Sequence, residues 1–454
     1  MAKLSTIIPK RLKSRLETGP SARRIVGNMG WLLGEKLGTV AIAFLVSLVV
    51  ARYLGPEKYG LMCYALAFVA MFEMIGTLGS QEILVRELLA AEGEEGRILC
   101  TAFILRCCGV VVASVVALLS VYLSRPDDAV SVILVLIACG MYVGQLFLMV
   151  QQWFASQLLA KYVTIATLVG LCIASVAKLL MVRYQQDVVY FVVASVAQVV
   201  LAGGILFFLY FRKNRQLRHR WTWSGRWARK LLGDCWPRII SGMSTSAINN
   251  LSTIFVGNLL ASQILGEFSV AKRLLFFLLF APGIITQSLA PSLVKAKESG
   301  DAGEYERQLV RLYRYLMLLG LGLGLLLALV GWLVVPVLYG HEYPKAGFYL
   351  MGMAATFPFY SVGQGRVWFI ITQRAYQYNM WVGVASALMS LGLTYLGIQL
   401  FGVWGAIGAQ VVTVVWIVLF QDLAFSRYRI NSLSAWRALS PVWIFGVMRD
   451  SVKP

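Results

Sequence analysis

The sequence predicts an all-α, polytopic membrane protein with about twelve transmembrane helices in two six-helix lobes. Three observations carry that expectation. Apolar residues make up 59% of the chain and charged residues only 14%, against about 45–50% and about 25% in globular domains. Apolar runs of transmembrane length recur along nearly all of the 454 residues, and a span needs about 20 such residues. The second half also echoes the first. With a mean hydropathy of +0.73, a disordered chain, a secreted disulfide scaffold and an ordinary soluble α/β enzyme are excluded.

The runs fall at 29–51, 60–83, 98–123, 129–154, 162–183 and 188–211, then at 239–260, 270–294, 312–338, 346–372, 378–400 and 402–424. They divide the chain into a basic amino-terminal segment (1–28), an N-lobe (29–211), a basic linker (212–238), a C-lobe (239–424) and a basic tail (425–454). No small-residue cleavage pattern follows the first run, so it is read as a retained helix. Lys and Arg total 41 against 21 Asp and Glu, a net charge of +20. They crowd into same-side segments, with Lys10, Arg11 and Lys13 at the start, Arg212, Lys213, Arg226, Arg229 and Lys230 in the linker, and Arg427, Arg429 and Arg437 in the tail. Connections on the opposite face hold few, among them Arg125, Arg183, Lys272, Arg273 and Lys345. Both termini and the linker are therefore expected in the cytoplasm. This asymmetry explains the charge as topology and contact with anionic membrane lipids, so no nucleic-acid partner is expected. Trp223, Trp227 and Leu231 recur at helical spacing in the linker and predict a helix lying in the interface.

Seven cysteines without a Cys-x-x-Cys spacing and only two histidines predict neither a metal site nor a disulfide frame. No phosphate-binding Gly-x-x-x-x-Gly-Lys-Ser/Thr loop is present. No cofactor is expected.

The halves echo at two places. Trp31, Gly60 and Ala65 match Trp236, Gly266 and Ala271, and Trp153, Phe154, Gln157, Ala160 and Tyr162 match Trp368, Phe369, Gln373, Ala375 and Tyr376 with one-residue slips. Six helices per half give both copies the same orientation, related by an axis along the membrane normal. Such halves form two bundles that rock around a central site, which implies a carrier.

Charges inside apolar runs cost on the order of 3 kcal/mol each near the bilayer centre. Glu35, Lys36, Glu73, Arg106, Lys178 and Arg366 are the candidates, with Arg52, Arg86 and Arg273 near helix ends. Cations dominate, so the interior is expected to attract an anion. Gln145, Gln152, Asn249, Asn250 and Gln364 are amides at helical depth able to hydrogen-bond hydroxyls, as in sugars, or to join helices. Glu73 and Glu35 are the carboxylates available for coupling to H+ or Na+.

The sequence resembles the polysaccharide transporter branch of the multidrug/oligosaccharidyl-lipid/polysaccharide exporter superfamily, the O-antigen and exopolysaccharide flippases. The residues that carry the resemblance are Ala51-Arg52-Tyr53-Leu54-Gly55-Pro56 with Tyr59-Gly60, Arg86-Glu87, Trp153-Phe154 with Lys161-Tyr162, Gly266 with Ala271, and Tyr339-Gly340 with Tyr343 and Ala346. The resemblance implies two lobes in a V around a cationic lumen. It also implies a flippase that moves an undecaprenyl-pyrophosphate-linked oligosaccharide across the bacterial cytoplasmic (inner) membrane. Arg52 is similar to an arginine that grips pyrophosphate in related flippases. Lys36, Arg86, Arg106, Lys178, Arg273 and Arg366 would complete the set. A polysaccharide polymerase and a chain-length regulator are the implied partners. Many relatives carry an Asp early in the seventh helix, where this chain reads Asn249-Asn250-Leu251-Ser252. Two other readings remain, a cation-coupled multidrug exporter on the same scaffold and a membrane-embedded glycan polymerase or transferase. The first needs an acidic, aromatic pocket and the second a chemistry-bearing loop.

Overall fold

A lipid core offers the backbone no hydrogen-bond partner, so a spanning segment of this composition must satisfy its own N–H and C=O groups as helix. The computed structural model, which describes residues 20–91, 93–214 and 221–439, agrees. Among the described residues every regular element is helical. The elements of the first half are α1 (Pro20–Thr77), α2 (Gln81–Ala90), α3 (Glu95–Ser124), α4 (Ala129–Ala138), α5 (Gly140–Leu148), α6 (Gln151–Ser156), α7 (Ala160–Arg183) and α8 (Val188–Lys213). The second half holds α9 (Gly225–Leu259), α10 (Ser262–Leu278), α11 (Phe280–Glu298), α12 (Ala302–Tyr339), α13 (Ala346–Ala354), α14 (Phe357–Thr372), α15 (Tyr376–Phe401), α16 (Val403–Val415) and α17 (Arg429–Leu439). Most of the amino-terminal segment, the middle of the linker and the end of the tail lie outside the described residues.

Among the described residues, nine stretches are long and apolar enough to cross a membrane by length and composition. The difference from twelve has a local cause in each case. The first stretch, Gly34–Ala90, runs through two predicted spans. They are divided at Gly55, whose φ of 68° and ψ of 171° only glycine adopts readily, and Pro56 follows inside α1. The predicted span 239–260 belongs to α9, whose Ser and Asn residues dilute its hydropathy. The predicted span 346–372 is broken into α13 and α14 with Pro358 at the new start.

The chain forms two compact units. The first comprises the described part of Met1–Val49 with Glu73–Ser120 and Ile133–Trp236, and the second comprises Val50–Phe72, Val121–Val132 and the described part of Pro237–Pro454. Aromatic rings knit the first unit, where Phe103, Phe147, Phe207, Phe211 and Trp221 have centroids 4.8–6.5 Å apart. In the second, Leu309, Leu312, Tyr313 and Leu316 of α12 pack with Val362 and Phe369 of α14 and with Ala435 and Ala438 of α17.

The second unit also contains a close helix crossing. A Cβ on Gly266 would stand 1.9 Å from the Pro56 carbonyl oxygen, and one on Gly60 would stand 2.4 Å from the Ser262 carbonyl oxygen and 2.9 Å from the Gly266 nitrogen. The two glycines matched by the internal echo therefore meet each other. Around them, Tyr343 donates its hydroxyl to the Ala51 carbonyl at 2.7 Å, Tyr64 donates to the Asn258 side chain, and Arg125 donates to the Gly257 carbonyl.

The second echo recurs as backbone geometry. Leu158 (φ 54°) and Arg374 (φ 53°) each end a helix in the left-handed region. In the first, Leu159 N–H reaches the Phe154 carbonyl at 2.9 Å and Leu158 N–H that of Ala155 at 3.1 Å. In the second, Ala375 N–H reaches Ile370 at 3.0 Å and Arg374 N–H reaches Ile371 at 3.1 Å. It is a helix-ending motif that Gln185 (φ 52°) also makes before α8, with Gln186 N–H to the Met181 carbonyl at 3.0 Å and Gln185 N–H to that of Val182 at 3.3 Å, so its position after the Trp-Phe pair and not the turn itself marks the echo. The echo pairs Gln157 with Gln373; in that register Trp153-Phe154 and Trp368-Phe369, and likewise Ala160 and Ala375, are displaced by one residue, and Tyr162 and Tyr376 by two.

Replacing Gly266 by Ala should lower the melting temperature of the purified protein, because inserting a group into a packed interior costs about 1–3 kcal/mol and here the obstacle is backbone. Gly322→Ala, where a Cβ meets nothing within 4 Å, should be neutral or stabilising by up to about 1 kcal/mol from helix propensity. Equal melting shifts for the two variants would show that the crossing is not tight.

Candidate functional site

The candidate residues divide between the units, with Glu35, Lys36, Glu73, Arg86, Arg106, Gln145, Gln152 and Lys178 in the first, and Arg52, Asn249, Asn250, Arg273, Gln364 and Arg366 in the second.

In the first unit, Arg106 of α3 is buried and directs Nε and Nη2 at the Ser80 hydroxyl, at 3.0 and 2.8 Å. Ser80 in turn donates to the Thr77 carbonyl at 2.9 Å. The guanidinium is thus held by neutral oxygen. Glu73 is half-buried and accepts from Gln145 Nε2 at 3.2 Å, so the structure joins a coupling candidate to a glycan-contact candidate. Glu35 is half-buried, with the Thr164 hydroxyl at 3.3 Å, while its neighbour Lys36 is exposed. Lys178 and Gln152 are half-buried. Arg86 belongs to an ion network, pairing with Glu87 at 2.7 Å and with Asp234, while Lys230 of the linker helix reaches Glu87 at 2.5 Å. Trp227 adds a bond from its indole N–H to Glu94 at 2.6 Å. The basic linker is pinned here by acids at the end of α2 and just before α3.

In the second unit, Arg52 is exposed and donates to the Val337 carbonyl at 2.7 Å. Arg273 is half-buried with the Tyr59 hydroxyl 3.4 Å away. Its neighbour Lys272 is buried among neutral oxygens of Asn249, Ser252 and Thr253. Asn250 turns back on its own helix to the Ser246 carbonyl at 3.0 Å, and Gln364 is half-buried. Arg366 makes a two-pronged ion pair with Asp422, at 3.1 Å from Nε and 2.9 Å from Nη2, and gives Nη1 to Asn379 at 2.9 Å. Asp422 is fully buried and also accepts from Tyr378 and Asn431, each at 2.5 Å. Tyr313 donates to Asn431 in turn. The charge of Arg366 is therefore answered inside the protein.

Lys272 and Arg273 correct the sequence reading, which counted them as charges of an outer connection. α10 begins at Ser262, eight residues before the predicted run, which places both about ten residues, or roughly 15 Å, into the helix. Glu267 and Asp422 were also passed over. Glu267 is buried and its Oε2 has no hydrogen-bond partner among the described residues. The signal for Asp422 was an arginine inside an apolar run, which calls for an acid in another one.

At the connection between α3 and α4, Asp128 pairs with Arg125 at 3.0 Å. Burial opposes its ionisation, but the Ser131 hydroxyl and N–H together with Arg125 outweigh that and hold the carboxyl below its ordinary range. Arg125 also lies over the Tyr64 ring, 4.5 Å from its centroid. Among the described residues, no group of three His, Cys, Asp or Glu side chains is placed to hold a metal ion.

A family model described as polysaccharide biosynthesis protein matches residues 25–297, more than half of the chain. The succinoglycan biosynthesis transport protein ExoT of Rhizobium meliloti (strain 1021) is 35% identical over 65 residues, a match spanning 14% of this chain and 13% of that protein's length. Two solved structures share the fold. The lipid II flippase MurJ in an inward closed conformation has a TM-score of 0.68 at 11% identity, covering 94% of both chains. An inward-facing multidrug resistance transporter of the MATE family has a TM-score of 0.66 at 16% identity, covering 91% of this chain and 94% of that one.

The Asp422 pair yields a stability test. Asp422→Ala leaves Arg366 buried without a counter-charge and should cost about 3–5 kcal/mol, read as a drop in melting temperature. The double variant Arg366→Met/Asp422→Leu should recover most of it. Additive losses would show that the two side chains do not act as a pair.

Proposed function

Because the chain belongs to the polysaccharide biosynthesis protein family, we propose that it is a flippase for an undecaprenyl-pyrophosphate-linked oligosaccharide, moving an O-antigen or exopolysaccharide repeat unit from the inner to the outer leaflet of a bacterial cytoplasmic membrane. It is a transport protein and not an enzyme. The observation that carries the choice of cargo is that Arg106, Lys272 and Arg273 lie in membrane helices with only neutral oxygens as hydrogen-bond partners among the described residues. Their positive charge remains available as a field, to which Lys272 contributes charge alone, and phosphate is the group that guanidinium recognises through charge-assisted bonds.

In this reading the pyrophosphate and sugars pass through the protein while the polyprenyl tail stays in lipid. Half-buried amides such as Gln145, Gln152 and Gln364 supply donors and acceptors suited to sugar hydroxyls. Both termini face the cytoplasm, as the Lys/Arg asymmetry requires. A multidrug exporter would need an acidic pocket to draw in cationic drugs, whereas in this protein the buried Asp422 is neutralised by Arg366, and the remaining intramembrane carboxylates such as Glu73 and Glu267 are outnumbered by the cations. No nucleotide is needed. Moving one negative charge outward down an inside-negative potential releases about 2.3 kcal/mol per 100 mV, and about two phosphate charges double that.

The test is reconstitution into liposomes with a short polyprenyl-pyrophosphate-linked glycan, scoring leaflet transfer by accessibility of the sugar to an added lectin. Wild-type protein should transfer the lipid, faster with a potential negative on the cytoplasmic side. Arg273→Ala should slow transfer about 10- to 100-fold, the loss of one charge-assisted hydrogen bond of about 1.5–3 kcal/mol, and Arg273→Lys should retain part of the rate. Absence of transfer by the wild-type protein, or efflux of a cationic dye in its place, overturns the assignment.

A further inference from the structure

On α9, three oxygens converge on one point. They are the Asn249 carbonyl and the Ser252 and Thr253 hydroxyls, which share a helical face at spacings of three and four. The ammonium of Lys272, on α10 of the same unit, occupies that point at 2.5, 2.9 and 2.7 Å respectively. Lysine has three N–H donors and no acceptor, so three oxygens satisfy it completely, and a neutral amine would leave one oxygen facing a lone pair. The side chain is only 7% exposed.

The other groups around it supply no negative charge. The Phe268 ring lies 5.7 Å from Nζ. The titratable and charged neighbours are the Cys63 thiol from α1 and Arg273 on α10, with Tyr59 and Ser269 beside the same thiol. Among the described residues, no carboxylate forms an ion pair with Lys272. If filling space were the only task, an apolar side chain of similar volume would do it without the desolvation cost of a buried charge. Convergent carbonyl and hydroxyl oxygens are the donors that hard cations take.

We propose that α9 carries a monovalent-cation site whose resident occupant is the tethered Lys272 ammonium. The site is permanently filled, so transport draws on no free sodium there, and trimming the lysine opens the site to Na+.

The test uses the full-length protein in detergent and needs no glycolipid, so its failure is separable from failure of the proposed cargo. Binding of radioactive sodium and thermal unfolding are compared in NaCl and in equimolar choline chloride for wild type, Lys272→Ala and Lys272→Met. The Ala variant should bind sodium saturably, and its folded-to-unfolded ratio should rise about ten-fold per decade of sodium above Kd. Wild type and the Met variant, whose site is filled by an ammonium or a thioether, should show neither response. An Ala variant that folds only when sodium is present supports the proposal equally. Saturable sodium binding by wild type, an Ala variant that folds but ignores sodium, or one that fails in both salts while the Met variant folds, overturns it.

Discussion

A bilayer core supplies neither water nor counter-ions, so every charge carried into it must find its partners within the protein. That constraint orders the rest of the structure. Three answers to it coexist. Arg366 takes a carboxylate, Asp422, in a two-pronged pair closed off by Tyr378, Asn379 and Asn431. Arg52 takes the main-chain carbonyl of Val337 near a helix end, where such groups lack intrahelical partners. Arg106 takes the hydroxyl of Ser80 at the turn between α1 and α2, and Lys272 takes hydroxyls and a carbonyl of α9.

These answers differ in what they leave behind. A carboxylate cancels the charge, so the Arg366 network contributes rigidity, tying α14 and α15 to α17 through Asp422 and Asn431, with Trp436 adding a bond to the Leu419 carbonyl at 3.0 Å. Neutral oxygens satisfy hydrogen bonds and leave the charge standing. The positive bias of the interior is therefore set less by how many Lys and Arg the helices contain than by which of them meet an acid.

The all-helical class and most spans were legible in the sequence because twenty-residue apolar runs have one solution in lipid. So was the presence of costly charges. Their partners were not legible, because Arg366 and Asp422 are 56 residues apart and periodicity within one helix says nothing about which helix faces it. The error at Lys272 and Arg273 had a different origin. Hydropathy places a span where the apolar residues are densest, and the polar start of α10, Ser262-Gln263 with Glu267, moved the apparent boundary eight residues along the chain. Buried charges erode the very signal used to find helix ends, so boundaries are least reliable where function concentrates.

The internal repeat shows why a weak resemblance can still be read as architecture. Residue identities between the halves slip by one position around Trp153 and Trp368, yet the helix-ending turn at Leu158 and Arg374 repeats bond for bond. Neither residue is glycine, although left-handed backbone is uncommon for other residues. A local preference for the turn would favour glycine at both places, and neither half has it. What the two sites share is the next buried alanine or leucine-alanine step into a long helix, at Leu159-Ala160 and at Ala375. The same turn before α8 at Gln185 shows that it is a general way of ending a helix in this chain, so what repeats between the halves is its position after the Trp-Phe pair. Gly60 and Gly266 are the complementary case. There the side chains cannot drift, because any Cβ would collide with the opposing backbone, and identity survives where geometry leaves no room for anything else.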